Sequence, residues 1–185
     1  MSEEQVVRNC APTLAGLKTG SMFSCEFASR AELNESIRAL NRSLTPKGLR
    51  VLPLRCAHGR ALIYVYRPGR LEKDLSGDAA SALLREFGYP CGNSGKCIAK
   101  LMARLKADGE FPHEVGLFLG YPTEDVAGFI ANHARGCKCV GCWKVYGDEA
   151  KAREKFARYK RCTSAYYEQW RRGIPIERLA TKDPL

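Results

Sequence analysis

Leu33, Ile37, Leu40 and Leu44 recur at spacings of four, three and four behind Ser29 and Glu32, which stand at the spacing of a capping box. That pattern predicts an amphipathic helix with one apolar stripe. Ahead of it, "APTLAGLK" reads as helical and "SMFSCEF" alternates as a strand does. "LRVLPLRC" and "RALIYVYR" are rich in β-branched and aromatic residues, and "AHG" between them offers a tight turn, so the pair predicts a β-hairpin. Pro53 cannot donate to a central ladder, which places the first of these strands at an edge or a bulge.

Two helical stretches follow, one from about Leu71 to Phe87 stopped by Gly88, and one after Ser94 with Ile98, Leu101, Met102 and Leu105 on one face. The loop "YPCGNSGKC" joins them. "EVGLFLG" is short and almost wholly apolar, the composition of a central strand. Thr123 is placed to cap the next helix, with Glu124 and Asp125 complementing the positive end of its dipole. "GCKCVGC" leads as a loop into a strand, "WKVYG". From Asp148 a last helix carries Phe156, Tyr159, Tyr166 and Trp170 along one stripe, with Lys151, Arg153, Lys155, Arg158, Lys160 and Arg161 on its other faces. The expected architecture is one α+β domain over residues 1–180, with helices packed on a mixed or mostly antiparallel sheet of about five strands. Residues 181–185 read as a loose tail.

A chain of 185 residues is long enough to bury roughly two-thirds of its unfolded surface without covalent staples. No run of about 18 apolar residues suggests a membrane span, and "MSEEQVVRNC" lacks a signal-peptide profile, so the chain is expected to be cytoplasmic. Thirty Lys and Arg against twenty Asp and Glu leave a formal charge of +10, which favours polyanions without naming one. Nine cysteines, an odd number, argue against a closed disulfide framework and for thiols, metal ligands or redox groups.

"NCAPTLAGLK", "RALIYVYRP", "FPHEVGLFLGYPTEDVAGFI", "CWKVYGD" and "RYKRCTSAYY" together resemble the bacterial domain-of-unknown-function family 3793, met mostly in anaerobes. The resemblance runs nearly end to end. It implies a cytosolic single-domain protein and brings no established activity with it.

The first chemical candidate is a Cys–His pair. Cys10, read as the start of a helix, has its thiolate stabilised by the dipole, and His113 at the head of an apolar strand can hold the proton. Glu114, Asp125 or Asn132 could orient the imidazole. In these two local places the order resembles papain-like enzymes, which implies a cysteine-dependent hydrolase or acyltransferase acting on a small-molecule or peptide substrate. The competing reading is that His113, beside Pro112, bonds a backbone carbonyl at a turn while Cys10 is buried.

The second candidate is metal. Cys137, Cys139 and Cys142 form C-x-C-x-x-C, three thiolates that suit zinc or iron, with His133, Cys162 or Cys97 as a fourth ligand. "CVGC" also has dithiol redox spacing, but the strand after it is the wrong context. Cys91 and Cys97 frame a loop that reads as a turn with an accessible thiol before a helix. "CGNSG" lacks the lysine and hydroxyl ending of a phosphate loop. A weaker third reading is nucleic-acid binding through the basic C-terminal helix, with phosphates on its cations and bases on its aromatics.

Overall fold

Ser2 accepts a hydrogen bond from the Gln5 backbone N–H, and the Gln5 side chain accepts one from the Ser2 N–H. This capping box starts α1 (Glu3–Leu14) well before the segment in which the sequence suggests a helix. The computed structural model describes residues 1–107 and 110–182, and these group into two compact units, Met1–Gly69 with Tyr159–Leu185, and Arg70–Arg158.

The first unit contains α1, β1 (Gly20–Glu26), α2 (Arg30–Leu44), β2 (Arg50–Ala57), β3 (Arg60–Tyr66) and α9 (Ile176–Leu179). Its strands form an antiparallel sheet in the order β1-β3-β2. The β2–β3 hairpin turns on His58 and Gly59, with φ of 49° and 71°, the left-handed pair that a two-residue hairpin loop needs. β2 is an edge strand, and its register shifts between Pro53 and Arg55, as the missing proline N–H requires. Leu33, Ile37, Leu40 and Leu44 bury the predicted stripe of α2 in a core with Val7, Leu14, Val51, Ile63 and Val65. Ser29 caps that helix by accepting from the Glu32 N–H.

Arg67 is fully buried in this unit. Its guanidinium donates to the carbonyls of Thr13, Leu14 and Thr181, each at 2.8 Å. The Thr181 N–H in turn donates to the Leu14 carbonyl at 3.0 Å. The expected loose tail is therefore anchored at Thr181, and residues 183–185 lie outside the described residues.

The second unit holds most of α3 (Pro68–Ser76), then α4 (Asp78–Glu86), α5 (Ser94–Lys106), α6 (Val115–Phe118), α7 (Thr123–Ala131), β4 (Cys139–Val140) and β5 (Lys144–Val145). The one helix expected over 71–87 is two, because Gly77 takes an extended conformation (φ −61°, ψ 142°) and becomes the N-cap of α4. "EVGLFLG" is not a central strand but the helical turn α6, whose four residues are all buried. An apolar run that short satisfies a buried turn of helix as well as a buried strand. α7 begins at Thr123, and Pro122 occupies the cap position without a side-chain bond, which corrects the expected Thr123 cap.

Five strands are present among the described residues, as expected, but three form one sheet and two another, and all pair antiparallel. The last helix, α8 (Glu149–Arg171), gives residues up to Arg158 to the second unit and the rest to the first. Among the described residues no helix is long and apolar enough to cross a membrane.

Candidate functional site

Asp125 organises the second unit. The first turn of α7 carries its carboxylate inward, where it is 2 % exposed. Oδ1 accepts from the backbone N–H groups of Tyr146 at 2.7 Å and Gly147 at 2.8 Å, and Oδ2 accepts from the Trp143 indole N–H at 2.6 Å. One side chain thus ties α7 to the β4–β5 hairpin and fixes the plane of the indole. Trp143 stacks on Tyr121, with centroids 4.8 Å apart, and meets Phe156 of α8 edge-on at 4.5 Å. The Tyr121 hydroxyl donates to the Cys142 carbonyl at 3.1 Å.

Two glycines allow this close packing. A Cβ on Gly141 would lie 2.2 Å from the Phe156 ring, and one on Gly116 would lie 2.7 Å from Val126.

Beside them lies an open-mouthed cavity of about 270 Å³ walled by Tyr121, Val126, Phe129 and Trp143 and bordered by His113 and Lys144. The Lys144 ammonium donates to the Ala134 carbonyl at 2.8 Å and sits 5.8 Å from the centre of the Phe129 ring. The His113 ring meets Phe129 edge-on at 4.8 Å, and its Nε2 lies 3.6 Å from the Glu110 carboxylate. His113 and Phe129 also line a second cavity, of about 260 Å³, together with Phe87 and Arg104.

The candidate residues are distributed differently from their expected roles. Glu114, 1 % exposed, accepts from the Tyr89 hydroxyl at 2.7 Å and lies 2.7 Å from Arg104 Nε, an ion pair outside hydrogen-bond alignment. Burial, and then the bond to Glu114, push the Tyr89 hydroxyl well above its ordinary range. Glu114 and Asp125 are thus anchors within the second unit, each engaged by named donors. His113 precedes a helical turn rather than a strand.

Cys10 belongs to the first unit, and it lies about two turns into α1 rather than at its start, so the positive end of the dipole is not at its sulfur. It is fully buried, and burial pushes its thiol up to about 12 against the opposing influence of Lys18 and Ser21. A sulfur in that setting is a small core hydrophobe. Iodoacetamide is therefore expected to leave Cys10 untouched near neutral pH until the first unit unfolds, which peptide mapping after timed alkylation would check. The same burial has a pH signature. The unfolded chain releases this proton near the ordinary value of 9.0 while the folded chain keeps it, so this group's contribution to stability declines as pH rises from about 9 towards about 12.

Cys137 and Cys139 are half-buried and Cys142 is exposed. Backbone bonds from Lys138 N–H to the Val145 carbonyl and from Gly141 N–H to the Trp143 carbonyl hold their segment in the β4–β5 hairpin. Among the described residues no group of three or more His, Cys, Asp or Glu side chains is placed to hold a metal ion. Of the expected fourth ligands, Cys162 belongs to the first unit, Cys97 to α5, and His133 to the turn that follows α7. The zinc or iron expectation therefore gains no geometry here. Of the aromatics offered for base stacking, Tyr159 is buried, Tyr166 and Trp170 pack on the core of the first unit, and Tyr167 stacks with Trp170.

The sequence reading missed Tyr121, Phe129, Trp143 and Lys144. Their signal was the repetition of aromatic residues beside glycines in "GYPTEDVAGF" and "GCWKVYG", the composition of a tightly packed apolar site. A family model described as a protein of unknown function, DUF3793, matches residues 6–180. Neither a curated protein nor a solved structure matches the chain.

Proposed function

For this chain, which belongs to the DUF3793 family, we propose a ligand-binding function: the second unit takes a small, flat, largely apolar molecule carrying an anionic group. The observation that carries the reading is the aromatic cavity itself, with its indole wall pinned by Asp125. At about 270 Å³ it is at the small end of ligand pockets, suited to one or two fused rings or a short branched acyl chain. Stacking against Tyr121, Trp143 and Phe129 favours planar groups.

The sign of the ligand's charge follows from the lining. Asp125 is the one acidic residue that lines the cavity, and its oxygens already serve three donors. A cationic ligand would meet a carboxylate that is 2 % exposed and already engaged by three donors. Lys144 does line the cavity, and an ammonium carries three donors, of which one serves Ala134. A carboxylate or similar anion is the complementary group. The lining contains no thiol or serine, and the papain-like pairing of Cys10 with His113 draws no support from the buried Cys10 thiol.

Calorimetric titration with 2-naphthoate and its neutral analogue 2-naphthylmethanol tests this. Naphthoate is expected to bind with Kd at or below about 1 mM, given what each ligand atom contributes in small sites. Lys144→Met should weaken naphthoate about tenfold, the loss of one charge-assisted hydrogen bond, and leave the alcohol unchanged. Absence of heat with both compounds at millimolar concentration would refute the reading.

A further inference from the structure

A second chemistry is carried by the loop between α4 and α5. Cys91 is exposed there, and the Arg85 guanidinium of α4 donates from Nε to its sulfur at 3.2 Å. Cys97, in the first turns of α5, is buried, and its thiol donates to the Pro90 carbonyl at 3.0 Å. That carbonyl belongs to the peptide bond leading into Cys91, so the Cys97 sulfur lies one peptide plane from the Cys91 backbone. The connecting segment is exposed and turns at Gly92, whose φ is +79°, before Asn93 caps α5 by accepting from the Lys96 N–H at 2.8 Å.

From this geometry we propose that Cys91 and Cys97 are a redox pair, in which Cys91 reacts with hydroperoxides and Cys97 resolves the product as an intramolecular disulfide. Accessibility, a neighbouring cation and a nearby second thiol are the features that distinguish redox-sensing cysteines from inert ones. The guanidinium stabilises negative charge on the Cys91 sulfur as it attacks. Cys97 has the complementary character: burial, then Cys91 and Glu72, push its thiol up, so it holds its proton until its turn.

The Cys91 sulfur attacks the terminal oxygen of the hydroperoxide. An S–O bond forms as the O–O bond breaks, and the departing alkoxide takes up the thiol proton and leaves as alcohol. Cys91 is then a sulfenic acid. The Cys97 sulfur attacks that sulfur, the S–S bond forms and the S–O bond breaks, and hydroxide leaves with the Cys97 proton as water. Two thiols lose two electrons and the hydroperoxide gains them. The cysteines lie close in sequence across an exposed turn, so closure calls on the loop rather than on the packed core.

The full-length chain treated with one equivalent of hydrogen peroxide, alkylated and digested with trypsin reads this directly, because cleavage after Arg85, Lys96 and Lys100 puts the two cysteines on separate peptides. The expected product is peptide 86–96 linked to peptide 97–100. Cys97→Ser should abolish the link and leave a Cys91 sulfenic acid that dimedone traps. Cys91→Ser, a change at an exposed position, should leave Cys97 reduced. Arg85→Gln should slow oxidation of Cys91 about tenfold, the loss of one charge-assisted hydrogen bond. Recovery of both peptides alkylated while other cysteines oxidise would overturn the proposal. Oxidation of Cys91 no faster than that of the exposed Cys142, or unaffected by Arg85→Gln, would do so as well.

Discussion

Asp125→Ala is expected to destabilise the second unit by about 3–5 kcal/mol, the scale for removing one partner of a buried charged network. The substitution leaves three buried or half-buried donors without an acceptor: the Trp143 indole N–H and the N–H groups of Tyr146 and Gly147. Each such orphan costs about 1–3 kcal/mol, less whatever water can recover. Asp125→Asn should fall between alanine and the native residue, because an amide keeps one oxygen but turns an NH₂ towards donors. The contrast is Arg153 with Glu149, an exposed i,i+4 pair 2.7 Å apart, whose removal should cost no more than about 0.5 kcal/mol. Hydrogen exchange at the Tyr146 and Gly147 amides checks the prediction locally. Protection should collapse in Asp125→Ala, and unchanged protection would show that the carboxylate is not the fastening it is taken to be.

Arg67→Met should be comparably severe in the first unit, again about 3–5 kcal/mol. Methionine can follow the path of the arginine stem, so the loss falls mainly on the guanidinium bonds to Thr13, Leu14 and Thr181, with a further contact to the Lys47 carbonyl at 3.3 Å. Those carbonyls come from the end of α1, the approach to β2 and the C-terminal segment, so one side chain closes the unit around its sheet. Arg67→Lys should recover only part of the loss, because one ammonium cannot span the acceptors that a planar fork reaches. Urea unfolding should show a lower midpoint. Trypsin should also clip the variant at Lys182 sooner than the native chain, since Thr181 loses its anchor. A midpoint shift equivalent to less than about 1 kcal/mol would place Arg67 among ordinary side-chain bonds.

How legible each unit was in the sequence follows from the length of its signals. The four-residue stripe of α2, the β2–β3 alternation around His58 and Gly59, and the irregularity at Pro53 are periodic or steric patterns that persist over several residues, and they appear where the sequence placed them. In the second unit β4 and β5 have two residues each and α6 has four, too few for any period to declare itself.

Asp125 reads locally as a charge complementing a helix dipole. Its partners lie 18, 21 and 22 residues further on, where no local pattern points to them. His113 stands out in the sequence as a proton holder and does border a cavity, but the aromatic residues there are marked only by their repetition beside glycines. The placement of Cys10 at the start of a helix is the instructive miss. Val6, Val7, Cys10, Ala11 and Leu14 follow the i, i+3, i+4 spacing of a buried helical face, which assigns the thiol to the core as soon as the helix is extended back to Glu3.

For the aromatic cavity the chain carries an internal control, since Trp143 and Trp170 are its two tryptophans. The Trp143 indole N–H is held on Asp125 at the wall of the cavity, while Trp170 stacks with Tyr167 in the first unit. A ¹H–¹⁵N correlation spectrum of the labelled chain titrated with 2-naphthoate therefore reports both sites at once. The Trp143 indole peak should move and saturate while the Trp170 peak stays in place. A Trp143 peak that does not move at millimolar naphthoate, with the chain folded throughout, would contradict the account.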